Sequence, residues 1–276
     1  MIIHSDWHIH SENSYDATNP ITAIGDNANA QGLRCFGITD HANLNDDKFR
    51  KNIEDSAKNV KELQTKYPNM ILGVELTPIE KPLYDYVCKH GTREGYAPPE
   101  RYGFLGFAVA YTKDELMALG MRYAVGAAHW SLIGPGARGG DLQACLEAWH
   151  YQQMQLACDE RVTILGHPWY AGHALWYGDF DLIPRSMNLE LAAALKENGK
   201  FVECNSHFFR SPKTTEKFRH QYVEFLRELF EMGIRVTYGS DSHHNYEDLR
   251  PLVETYLTAA GFKDGDISDL SEKDFW

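Results

Sequence analysis

Short apolar runs recur at 2–8, 35–39, 71–75, 123–129, 162–167, 201–205 and 234–240. Their length and their content of Ile, Val, Phe and Tyr predict β-strands. Stretches of helical length separate them, at 20–31, 48–66, 142–159, 189–198, 214–232 and 246–260. Within 214–232, Phe218, Tyr222, Phe225, Leu226, Leu229 and Phe230 recur near a 3.6-residue period, the stripe of a helix lying on a sheet. Pro20 opens one helix in its first turn, and Gly199 and Gly233 close two others. Strands alternating with helices predict βαβ units, hence an α/β fold with a parallel sheet. Seven strands suggest a TIM-like barrel one unit short of eight.

The chain has 276 residues, a length that barrels commonly occupy as a single domain, here 1–276. The stretch 77–121 breaks the rhythm with Pro78, Pro82, Gly91, Gly95, Pro98 and Pro99, and reads as a lid or substrate-specificity insertion. The Gly-rich stretch 134–140 lacks the Gly-Lys-Ser/Thr ending of a phosphate-cradling loop, which leaves Arg138 as a minor candidate for phosphate contact.

A formal charge of −12 disfavours long nucleic acids and anionic membranes as partners. Five scattered cysteines, odd in number, fit a reducing, cytoplasmic setting better than a disulfide framework. The N-terminal residues offer no apolar stretch for a signal peptide, and no run is long enough to span a bilayer.

Candidate chemistry gathers where the strands end. His8 and His10 lie two apart in Asp6-Trp7-His8-Ile9-His10, so a strand presents both imidazoles to one side. Asp40-His41, Glu75, His129, His167 and Asp241-Ser242-His243 each close a later run. Groups at the same end of successive barrel strands converge on one opening, which predicts a metal cluster. Against each stands a plainer reading: an ordinary polar histidine, a salt-bridged Glu75, a turn at Asp241, or a helix-start acid for Asp16. Glu75 ends an apolar strand, where an unpaired carboxylate is costly.

Asp-Trp-His-Ile-His-Ser with Asp16 behind it, Ile-Thr-Asp-His at 38–41, Gly-Val-Glu at 73–75, His129, Leu-Gly-His at 165–167 and Gly-Ser-Asp-Ser-His at 239–243 follow one another over nearly the whole chain. In that order they resemble the polymerase-and-histidinol-phosphatase (PHP) family of metal-dependent phosphoesterases. The resemblance implies a distorted seven-stranded (β/α) barrel and up to three divalent metal ions. It implies that His8, His10, Glu75 and Asp241 hold the first ion and that Glu75 bridges to a second held by His129 and His167. Asp16, His41 and His243 would hold the third. Asp40 and His244 are read as outer or surface groups. Three dications against three carboxylates leave the pocket about +3, suited to hydroxide and a phosphate dianion. The mixed donors suit Zn, Fe or Mn.

The expected activity is therefore phosphatase chemistry: hydrolysis of a small phosphomonoester by metal-activated hydroxide, with histidinol phosphate the first candidate substrate. Arg210 is a candidate phosphate grip. His173, in the region where the histidinol phosphatases tend to carry an arginine, is a candidate phosphate ligand or leaving-group acid. The alternatives are a phosphodiesterase or exonuclease stacking short nucleotides on Trp169, Tyr170, Trp176 and Tyr177, an amidohydrolase, and a non-catalytic metal-binding protein.

Overall fold

A computed structural model describes residues 2–97, 106–129, 141–170 and 175–276. Arg138 and His173 lie outside the described residues. In chain order the elements are β1 (Asp6–Ile9), α1 (Ile21–Ala30), β2 (Phe36–Ile38), α2 (Asp47–Leu63), β3 (Met70–Leu72), β4 (Val74–Leu76), β5 (Pro78–Glu80) and α3 (Lys81–His90). There follow β6 (Phe107–Val109), α4 (Lys113–Ala118), β7 (Ala124–Gly126), α5 (Leu142–Cys158), β8 (Ile164–Leu165), α6 (Arg185–Glu197) and β9 (Phe201–Asn205). The short α7 (His207–Arg210), α8 (Glu216–Glu231), β10 (Arg235–Gly239) and α9 (Arg250–Ala259) complete the series.

The helices form where local chemistry directs. Asp46 caps α2 by accepting from Phe49 N at 3.0 Å, and the helix buries Phe49, Ile53, Ala57 and Val60 along one stripe. Thr215 caps α8 in the same way through Phe218 N at 3.1 Å, and Phe218, Tyr222, Phe225, Leu226 and Leu229 face the core.

Two parallel sheets carry the fold, one in the order β1-β2-β3 and one in the order β10-β9-β8-β7-β4. β3 and β4 are the halves of one run broken at Gly73, the first half pairing with β2 and the second with β7. Gly73 is required there, since a Cβ would stand 2.6 Å from the Tyr123 ring and 2.9 Å from Thr39 Cγ2. Isolated parallel bridges, Ile9 with Ser242 and His41 with Glu75, span the two places where the sheets adjoin.

The α/β class and the parallel pairing stand, but a closed seven-stranded ladder is not formed. The register of β1 slips between Asp6 and Ile9, and Asp241, just past β10, has φ of 53°, so regular pairing stops where the site begins. The stretch 77–121, irregular as read from its prolines and glycines, contains the antiparallel pair β5-β6 and the helices α3 and α4. Pro82 sits in the first turn of α3, where its missing N–H costs nothing, and Gly91 ends that helix at φ 73°. Among the described residues no helix is long and apolar enough to cross a membrane.

Side chains two apart on a strand share a face, so Phe201, Glu203 and Asn205 of β9 line up together. Phe201 packs in a small cluster with Trp7, Tyr123, Val125, Ile164 and Leu270. Glu203 and Asn205 continue the same face into the polar end of the molecule.

Candidate metal centre

Glu75 is fully buried in the middle of β4, and five imidazoles surround its carboxylate. Oε1 lies 3.4 Å from His8 Nε2, and 3.3 Å from the Nε2 atoms of both His129 and His167. Oε2 lies 3.3 Å from His10 Nε2 and 2.8 Å from His41 Nδ1. Asp241 Oδ1 approaches His10 Nε2 at 3.4 Å, His243 Nδ1 at 3.6 Å and His8 Nε2 at 3.7 Å. Asp16 Oδ2 closes the group, 3.4 Å from His41 Nε2 and 3.8 Å from His243 Nε2. The strand ends thus bring all nine side chains together.

This donor set fits metal ions. Two donors each about 2.1 Å from one ion and at tetrahedral angles stand about 3.4 Å apart, which is the spacing that recurs around Glu75 and Asp241. His8 Nε2 and His10 Nε2 approach to 3.1 Å, and His8 Nδ1 lies 2.8 Å from the Glu203 carboxylate on the opposite side of the ring. The buried Glu75 Oε2 has no aligned hydrogen-bond partner. A cation between such lone pairs satisfies them together. The sets His8-His10-Glu75, His41-Glu75-His129 and His10-His41-His243 each have ligand atoms close enough to hold an ion. They overlap through Glu75, His10 and His41.

Burial lowers His8 and His41, but Glu203 and Glu75 beside His8 and Glu75 and Asp16 beside His41 outweigh it, raising His8 well above its ordinary value and His41 to about 10, so a bound cation would displace their protons. Burial pushes the Glu75 carboxyl up, but His129, His41 and His8 outweigh it and hold Glu75 well below the ordinary range. Asp241 is likewise raised by burial and drawn well below by His8, His10 and His243. Burial, with His243 and His41 nearby, lowers His10 to about 4, which keeps that imidazole neutral and its lone pair free.

Several groups behind the cluster escaped the sequence reading. Glu203 is buried, its Oε1 2.8 Å from His8 Nδ1, while its Oε2 accepts from His167 N at 2.6 Å and from Asn205 Nδ2 at 3.0 Å. Asn205 Nδ2 also donates to Asp241 Oδ2 at 3.3 Å, so one carboxylate–amide pair touches His8, His167 and Asp241. Gly239 makes room for it, because a Cβ there would fall 1.8 Å from Glu203 Oε1. A charged residue inside the apolar run Phe201-Val202-Glu203-Cys204 was the available signal. Asp6 accepts from Ser240 N, His8 N and Tyr246 Oη, tying β1 to β10. Thr77 Oγ1 meets His129 Nδ1 at 2.8 Å. Asp40 holds Ser11 through N at 2.6 Å and Oγ at 2.7 Å, which makes it a loop anchor beside His41.

Arg210 ends α7 and is exposed, with no residue of the nine in an ion pair with it. Beside it His207, half-buried, lies 3.2 Å from Tyr170 Oη, and Tyr170 packs edge-on to His167. His244 is exposed and meets Thr18 Oγ1 at 2.9 Å, on the surface. Trp169, Trp176 and Tyr177 are buried, with Trp176 Nε1 donating to Trp169 O at 2.8 Å, so these rings pack the core and offer no platform for a base.

A parallel α/β scaffold with imidazoles and carboxylates gathered at its strand ends defines a metal-binding protein of hydrolase type. The PHP domain model matches residues 6–207, and the chain belongs to the PHP domain family, the metal-dependent phosphoesterase family that its motifs resemble. A probable phosphatase of Acetivibrio thermocellus is 43% identical over 58 residues, a match spanning 21% of this chain and 23% of that relative. The histidinol phosphate phosphatase of Lactococcus lactis subsp. lactis Il1403, solved with zinc, L-histidinol and phosphate, superposes with a TM-score of 0.70 at 18% identity. That alignment covers 99% of this chain and 98% of the other, and the likeness is one of fold.

Proposed function

We propose that the protein is a metal-dependent phosphoesterase that hydrolyses a small phosphomonoester, with histidinol phosphate as the first substrate to test. The observation that carries this reading is the Glu75 carboxylate, fully buried among five imidazoles with Asp241 and Asp16 alongside. His8, His10, Glu75 and Asp241 hold one ion, Glu75, His129 and His167 a second, and Asp16, His41 and His243 a third. The ions are Zn, Fe or Mn; when bound they supply Lewis acidity toward phosphoryl oxygens and lower the pKa of water. Glu203 fixes the proton of His8 on Nδ1 and so aims Nε2 into the cluster. Arg210 reaches from α7 to the phosphate, and His173 serves as a second phosphate contact or as leaving-group acid.

The chain acts as one domain over 1–276, a distorted seven-stranded barrel whose sheets adjoin through the isolated bridges, with 77–121 as the insertion that sets specificity. Its scattered cysteines suit a reducing, cytoplasmic setting. Phosphodiester or exonuclease action is the weaker reading, because the burial of Trp169, Trp176 and Tyr177 leaves the half-buried Tyr170 as the one accessible ring of that stacking set.

The test is metal analysis of the purified protein together with a panel of phosphomonoesters and diesters, run beside Glu75→Ala. The variant is expected to lose bound metal and at least about a hundredfold in phosphomonoesterase rate. Full activity in a metal-depleted Glu75→Ala protein refutes the reading.

A further inference from the structure

A cavity of about 250 Å³ opens where β8, β9 and β10 begin, at the opposite end of those strands from His167 and Asp241. Four cationic side chains, Lys113, Lys200, Arg235 and Lys273, line it against two acidic ones, Glu160 and Asp274, in a chain whose formal charge is −12. Arg235 is already paired: it meets Asp274 Oδ1 at 2.6 Å and lies over the Phe201 ring at 3.7 Å. Lys273 and Glu160 are exposed and opposite in sign, so they offset each other. Lys200 and Lys113 remain.

Lys200 is 9% exposed, and its ammonium donates to Asp159 O at 2.7 Å and Val162 O at 2.6 Å, which leaves one of its three N–H groups. Among the described residues no carboxylate forms an ion pair with it, and the Asp159 carboxylate, which favours its charge from farther off, is gripped by Arg161. Lys113 is half-buried, its Nζ 5.9 Å from the centre of the Trp276 ring, and among the described residues it too has no carboxylate in an ion pair. Burial, with Lys113 adding to it, holds the Lys200 ammonium below its ordinary value.

We infer that this cavity binds a small dianionic oxyanion, inorganic phosphate or the phosphate group of a small molecule, between Lys113 and Lys200. A charge withdrawn from water is costly until it is paired, and these two ammoniums together lack two negative charges. A phosphate dianion supplies both, and its oxygens accept from rotatable ammonium donors, whereas a single carboxylate would balance one lysine only. The site lies at the end of the strands where side chains of a barrel-like scaffold serve stability, so an ion held there by the folded chain alone stabilises the fold. Neither lysine belongs to the metal centre, and the site stands whether or not the protein is a phosphoesterase.

Calorimetric titration of inorganic phosphate into the full-length, metal-loaded protein counts the ions bound per chain. The wild type is expected to bind one phosphate more than Lys113→Glu/Lys273→Glu, whose metal content should not change; any phosphate held by the metals is common to both proteins and cancels. With phosphate at about ten times its dissociation constant, the melting temperature of the wild type should rise about 2–4 °C more than that of the double variant. Lys113→Gln, which keeps most of the side chain and drops the charge, should weaken the same phosphate about tenfold, and it decides the matter should the double variant fail to fold. In a second arm phenylphosphonate replaces phosphate: tighter binding at the lysine-dependent site identifies an organic phosphate resting on Phe275 and Trp276, and equal or weaker binding identifies the free ion. Equal numbers of phosphate in the wild type and the double variant, or unchanged affinity in Lys113→Gln, overturn the inference.

Discussion

The face of β9 that carries Phe201, Glu203 and Asn205 joins two regions built on opposite principles. Around Phe201 the cluster of Trp7, Tyr123, Val125, Ile164 and Leu270 is apolar, and the Tyr123 hydroxyl is satisfied by Trp7 O at 2.7 Å. Around Glu203, two residues along, nearly every side chain is ionisable, and Glu75 Oε2 and one ring nitrogen each of His10, His41 and His167 are buried without a hydrogen bond. The first region is held by packing and leaves one polar atom in that state, Trp7 Nε1, while the second gathers carboxylates and imidazoles whose lone pairs a cation could share. Stability and function are thus divided along the same strands, and each can be attacked separately.

The largest expected effect is on the apolar side. Phe201→Ala should cost about 3–5 kcal/mol, because a fully buried ring leaves a cavity that packed neighbours refill only in part. Chemical denaturation measures this, and metal content at low temperature should persist. Loss of metal from a still-folded Phe201→Ala protein would show that the two regions are not separable.

Glu203→Gln attacks the other side. The amide still fills the space but no longer offers a charged acceptor to His8 Nδ1, so metal affinity should fall roughly 10–100-fold, read by competition with a chelator. The metal-free protein should melt at a lower temperature, because Glu203 accepts from His8, His167 and Asn205 and the amide puts a donor where one acceptor oxygen stood. Unchanged metal affinity would reduce Glu203 to a space-filling role.

The contrast also explains what could be read in advance. Apolar runs ending in His, Glu or Asp were visible because strand period and motif order are properties of short segments. β2 and β7 stop at Ile38 and Gly126, short of the runs that announced them, whereas β1 starts late, at Asp6, and continues to Ile9. Glu203, Asn205 and Asp6 were not recognised because their importance lies in partners on other strands: His8 is 195 positions from Glu203, and Asp6 is 234 from Ser240. The helices α3 and α4 were hidden by the prolines and glycines that bound them. The capping box of α4, with Thr112 and Glu115 exchanging hydrogen bonds, was nevertheless a readable local signal.

A third setting, between the dry cluster and the charged one, yields the smallest effect. Asp159, at the end of α5, grips Arg161 at 2.8 Å through Nε, and Arg161 reaches Val109 O at 3.1 Å and Tyr111 O at 2.6 Å. This half-buried pair fastens the β6 end of the insertion to the strand system. Burial raises the Asp159 carboxyl, but Arg161 more than offsets that and leaves it below its ordinary value of 3.8. A carboxyl depressed in the native state stabilises the fold above its unfolded pKa, and the contribution disappears as pH falls through the native value. Asp159→Asn should therefore cost a few tenths to about 1 kcal/mol at pH 7. The gap between wild type and variant should narrow below about pH 4, as the wild-type carboxyl takes up its proton. Paired melting curves at pH 7 and pH 3 measure it, and a gap that stays constant would assign the effect to geometry rather than charge.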